Sequence, residues 1–144
     1  MAARPELGAA SIFERLVPNG RHEAGTIDYS SYNGQAATVD VLIAKGANAC
    51  RPDRDQGNTA QMGVAFKGED SIAARLLKAG CDVNARNNAG QTALMMASLF
   101  NRTRQVDMLL AAGANRSILD AAGRSASSIA ADQGNAPMAA RVKH

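Results

Sequence analysis

Two histidines, His22 and His144, are the whole imidazole complement of this 144-residue chain, and they stand near its opposite ends. General acid–base work needs a titratable group held against a partner, and neither histidine has an evident one in sequence. No Gly-x-Ser-x-Gly elbow, His-Glu-x-x-His pair or phosphate-cradling glycine loop occurs. Asp53 and Asp55 could be two working carboxylates, but Arg51 and Arg54 sit beside them, so they read as a surface salt-bridge cluster on an exposed turn. Cys50, close to that turn, could act as a nucleophile only with a depressed thiol pKa; the plainer expectation is a packed or half-exposed cysteine. Cys50 and Cys81 form neither a metal-ligand set nor a Cys-x-x-Cys motif, which predicts reduced thiols and a cytoplasmic protein. The expectation is therefore no enzyme, no cofactor, no metal and no small-molecule substrate. A catalytic reading would have to rest on Cys50 or His22 and names no reaction.

The elements that position side chains must be built with few rings. Apolar residues make up 46% of the chain, while aromatics make up 3%: Phe13, Tyr29, Tyr32, Phe66 and Phe100. Packing then falls to Ala, Leu, Ile, Val and Met, which suits closely stacked helices better than an aromatic-centred sandwich. The apolar run 93–100 is far shorter than the roughly 20 residues of a membrane span. Residues 1–10 lack the apolar core of a secretory signal and read as a flexible N-terminus. Net charge is +3, but residues 86–144 alone hold seven basic against three acidic side chains, or +4. Such a surface could steer an acidic partner. The basic residues form no run and lack interleaved aromatics, so nucleic-acid binding is the second reading.

Self-similarity organises most of the chain. Gly57-Asn-Thr-Ala, Gly90-Gln-Thr-Ala and Gly123-Arg-Ser-Ala recur at intervals of 33, and Gly80 and Gly113 repeat that spacing behind Leu76-Leu77 and Leu109-Leu110. Gly46 lies 34 before Gly80, which places one extra residue in the first connecting loop. Gly34, Gly68, Asn101 and Gly134 give a third register. Each unit predicts a helical hairpin. Thr59, Thr92 and Ser125 are N-caps of a short first helix, and Gly or Asn supplies its left-handed end. A second helix follows with apolar residues at i, i+3 and i+4: Val39/Leu42/Ile43, Ile72/Leu76/Leu77 and Val106/Leu109/Leu110. About ten polar residues, such as 81–89, then form a projecting turn.

The run Gly-Gln-Thr-Ala-Leu-Met-Met-Ala-Ser-Leu-Phe-Asn at 90–101, with Leu-Leu-Ala-Ala-Gly-Ala-Asn at 109–115, resembles the ankyrin repeat. The resemblance implies an all-α solenoid of about three and a half helix-turn-helix units. Its divisions are a capping helix at 11–24, repeats at 25–53, 54–86 and 87–119, and a truncated C-terminal repeat at 120–144. Ala60, Ala93 and Ala126 stand where the family usually has proline, and Met62, Met95 and Ser128 where it has histidine. The hydrogen bonds of that histidine are then missing, and weaker coupling between units is expected.

The family is known for binding proteins through turn tips and the inner surface of the first helices. Carried over by position, the tip slots hold Asp55, Gln56 and Asn58, then Asn88 and Gln91, then Arg124. The helix-end slots hold Tyr32 and Asn33, Phe66 and Lys67, Leu99 and Phe100, then Asp132 and Gln133. The same aromatics could instead pack beneath the next helical pair. Met95 and Met96 read as core, and Arg102 and Arg104 as solvated residues on the convex side. The implied function is to hold another protein in a shallow groove, as inhibitor, adaptor or toxin-neutralising factor.

Overall fold

In the computed structural model, residues 49–144 are described. The capping helix at 11–24, His22, Tyr32, Asn33 and most of the repeat at 25–53 lie outside them.

Six helices follow in order: α1 (Ala60–Lys67), α2 (Asp70–Lys78), α3 (Ala93–Leu99), α4 (Thr103–Ala111), α5 (Ala126–Asp132) and α6 (Ala136–Arg141). The described residues contain no strand. Each odd helix starts where a hydroxyl can take an orphan amide. Thr59 accepts from Met62 N, Thr92 from Met95 N and Ser125 from Ser128 N. Ser128 returns the favour by accepting from the Ser125 amide, a capping box built from two serines. The left-handed end of α1 falls on Gly68 (φ 74°), and after α3 Asn101 takes the same region at φ 57°, as the sequence predicts.

The hairpins α1–α2, α3–α4 and α5–α6 stack in one direction, α1 on α3 on α5, with α2 on α4 behind them. Small residues permit the close approach: Ala60, Ala65, Ala93, Ala97, Ala126 and Ala130 are buried along the stacked faces. Between them sit Val64, Ile72, Leu94, Met95, Val106 and Leu109, also buried. Met96 and Leu99 pack at the margin of this cluster. No described aromatic belongs to the buried core.

The loops between hairpins project as turns closed by their own backbone. Asn87 N donates to Gln91 O and Asp120 N to Arg124 O, a four-residue step, whereas Asp53 N donates to Asn58 O across five. The extra residue of the first connecting loop is accommodated here. Successive tips are joined by one backbone rung each, Asn88 N to Gln56 O and Ala121 N to Ala89 O, both 2.9 Å.

Candidate functional site

An acidic or amide side chain anchors each tip. Asp53 Oδ1 accepts from the amides of Asp55, Gln56, Gly57 and Asn58 at 2.9–3.4 Å. This overturns the surface salt-bridge reading for Asp53, which is buried and holds the turn, whereas Asp55 is exposed on it. A carboxylate facing several converging amides is better satisfied by them than by a solvated guanidinium. Asn87 Oδ1 does the same for Ala89 and Gln91. Asp120 Oδ1 accepts from Ala122 N and Arg124 N, and its Oδ2 pairs with the Arg124 guanidinium at 2.9 Å. Burial pushes the Asp120 carboxyl up, but the two amides and the Arg124 side chain together hold it below its ordinary value.

A group depressed in the fold stabilises above its unfolded pKa, about 3.9 for Asp, and loses that contribution as pH falls through the folded value. Asp120→Asn is therefore expected to cost about 1–2 kcal/mol at pH 7. The acid branch below pH ~4 should flatten in that variant. Urea midpoints measured across pH check both effects.

Among the expected tip residues, Asp55 and Gln56 are exposed. Asn58 is tied to Gln56 and accepts from Asn87 Nδ2 at 2.8 Å, and Gln91 Oε1 accepts from the same amide. Asn88 Nδ2 reaches back to Asp55 O at 3.3 Å. These amides couple neighbouring tips where the family's histidine is absent. Arg124 is partly exposed, but its charge is paired with Asp120.

At the helix ends the aromatics meet. The Phe66 and Phe100 rings lie 5.1 Å apart, edge to face at 82°. Phe66 remains 55% exposed, and the Lys67 ammonium lies 6.0 Å from its ring centre. Phe100 and Leu99 are half-buried, whereas Asp132 and Gln133, one unit further, are exposed and polar. The structure therefore brings Phe66, Lys67 and Phe100 together, while the corresponding ends of the last unit carry only the polar Asp132 and Gln133.

Two sequence expectations fail nearby. Arg102 is not solvated: its Nε donates to Ala65 O and its Nη2 to Phe66 O, both at 2.8 Å. Those carbonyls end α1 and need a partner from outside the helix. Arg102 supplies it, fixing the backbone that carries Phe66. Behind it, buried Gln105 donates to Val64 O and Asp70 Oδ1, while its Oε1 has no partner among the described residues. An arginine opening a second helix, one unit after a helix ending in glycine, is the sequence signal that could have indicated this contact.

The reduced-thiol expectation also fails. Cys50 and Cys81 are disulfide-bonded, with Cα atoms 5.3 Å apart. Residues 31 apart in sequence become neighbours because a helical hairpin returns the chain close to where it entered. Among the described residues, no group of three or more His, Cys, Asp or Glu could hold a metal ion. No described helix is long and apolar enough to cross a membrane.

A one-directional stack of helical hairpins, with turn tips joined in series, defines a repeat scaffold that presents side chains along an edge. The chain belongs to the ankyrin-repeat family: a family model for ankyrin repeats, in three copies, matches residues 27–120. It is 37% identical over 93 residues to a putative ankyrin repeat-containing protein of Treponema pallidum, covering 65% of this chain and 31% of that protein. It is 34% identical over 130 residues to a probable E3 ubiquitin-protein ligase of Oryza sativa, covering 89% of this chain and 23% of the ligase. Mouse inversin is 31% identical over 106 residues, which is 73% of this chain and 10% of inversin. The chain thus spans less than a third of the length of each. Ankyrin repeats are generally protein–protein interaction modules and typically not catalytic.

Proposed function

We propose that this stack works by occupying a surface of a partner protein, as an inhibitor, adaptor or neutralising factor without catalytic activity of its own. The observation that carries the reading is the Phe66–Phe100 pair. An exposed ring, braced edge to face by a half-buried one and held on a capped helix end, has the form of an interface anchor. Asp55 and Gln56 at the tip and Lys67 beside the ring supply a polar rim.

The basic alternative is weakened by the fate of its arginines. Arg124 and Arg141 are paired with Asp120 and Asp107, while Arg86 and Arg102 donate to backbone carbonyls. The Cys50–Cys81 bond supports an oxidising compartment for the working state, in place of the reducing cytoplasm expected from two unmatched cysteines.

Phe66→Ala is the test. Proteins retained by the immobilised full chain would be identified, and the retained partner titrated against wild type and variant. A loss of about 2 kcal/mol in affinity, or ~30-fold, is expected, with little change in melting temperature because the ring is more than half exposed. Unchanged affinity would refute the assignment of this edge. A blocking role further predicts a 1:1 complex with loss of partner activity; an adaptor predicts a ternary complex.

A further inference from the structure

We propose that the Cys50–Cys81 bond is a redox-operated clamp on the α1–α2 hairpin. In the oxidised chain the hairpin is held; on reduction by a dithiol it opens locally while α3–α6 stay folded. The proposal stands on connectivity, packing and access. The bond closes a loop that contains α1 and α2 and none of α3–α6. A crosslink acts by limiting the open states of the residues it encloses. In a linear stack, each unit's opening is governed by itself and its neighbours.

The boundary between this hairpin and the next unit is held unevenly along its length. Toward α3–α4 the hairpin is fastened by Arg102 and Gln105 reaching back to carbonyls of α1, and by the Asn87 and Asn88 contacts between tips. At the Cys50–Cys81 end of the same boundary, a cavity of ≈ 90 Å³ is lined by Cys50, Cys81, Leu76, Leu77, Thr59 and Ala93, the first residue of α3. Apolar contact is incomplete there, so the packing attraction is correspondingly reduced, and the covalent bond replaces it.

The bond is also reachable. Cys50 is exposed and Cys81 half-buried. A thiolate of a dithiol reductant attacks Cys50 Sγ, the S–S bond breaks, and Cys81 leaves as a thiolate that takes up a proton. The reductant's second thiol then attacks the mixed disulfide, closing the reductant's own ring and releasing Cys50 as a thiol. Two electrons pass from the dithiol to the protein. Phe66 lies on α1, so the clamp would extend to the proposed partner edge. That consequence rests on the reading above; the clamp itself does not.

Hydrogen exchange read by mass spectrometry on the full chain tests it, comparing oxidised protein, dithiothreitol-reduced protein and a Cys50→Ser/Cys81→Ser variant. Alkylation confirms the thiol state in each sample. Amides of α1 and α2 should exchange at least about tenfold faster after reduction, with α3–α6 within about twofold of the oxidised rate. The variant should match the reduced chain and ignore the reductant. Equal exchange in α1–α2 before and after reduction overturns the proposal. So does a loss of protection spread evenly over all six helices, or a response to dithiothreitol in the variant. The exchange readout needs no partner, so its failure and a failure of the Phe66 binding test are told apart.

Discussion

Replacing Gly90 with alanine is expected to cost the fold about 2–4 kcal/mol, against about 1–2 kcal/mol for the same change at Gly123. Both glycines sit at equivalent places in their tips, and both have left-handed backbone, φ 75° and 80°. The conformational penalty for an L side chain is therefore shared. Their surroundings differ. A Cβ on Gly90 would stand 2.9 Å from the Ala121 amide nitrogen and 3.3 Å from the Asp120 carbonyl carbon. That amide makes the rung to Ala89 O, so backbone cannot retreat without breaking the link between the second and third described units. The Arg86 guanidinium, 3.0 Å from the same point, also bonds Leu119 O across the boundary and would be displaced. A Cβ on Gly123 meets nothing within 4 Å. Urea midpoints of the two single variants measure the difference directly. Equal losses would mean that the tip relaxes freely and that the rung contributes little.

Arg102→Ala is expected to destabilise by about 2–3 kcal/mol, while Arg104→Ala, two residues away and exposed, should stay within about 0.5 kcal/mol. The sequence treats the two alike, as charged residues opening one helix. The structure separates them through Gly68. With no side chain at Gly68, the Arg102 guanidinium lies across it, and a Cβ there would come 3.0 Å from Cζ. From this seat the fork reaches two carbonyls at the negative end of α1. Truncation leaves both without that donor and removes a cation from the helix C-terminus. Arg102→Lys should recover only part of the loss, since an ammonium lacks the planar fork that serves two acceptors. The same variants should reduce partner binding more than their stability loss alone accounts for, because Phe66 sits on the backbone that Arg102 fixes.

Among the described residues, the period, the starts of the first helices and their left-handed ends were legible before any coordinates. Thr59, Thr92 and Ser125 cap as expected, and Gly68 and Asn101 take the left-handed turn, because these are decisions made within four or five residues by local hydrogen bonding and φ alone. The core of small and aliphatic residues was legible for a related reason: the spacing of Ile72, Leu76, Val106 and Leu109 already defines one face of a helix.

The site was legible only as a row of positions. Which of them act together depends on what arrives from the next unit, 33 or more residues away. Phe66 finds Phe100, Asn88 finds Asp55 and Arg102 finds Ala65 and Phe66 across the stacking boundary. Asp53 gives up its expected salt bridges because the turn folds four amides onto one oxygen. Cys50 and Cys81 become a pair only when a hairpin closes between them. Local sequence determined the helices, their ends and their repetition, since each is settled by neighbours along the chain. Tertiary structure alone decided which side chains bridge units, which stay exposed and which are covalently joined, because stacking chooses those partners through space.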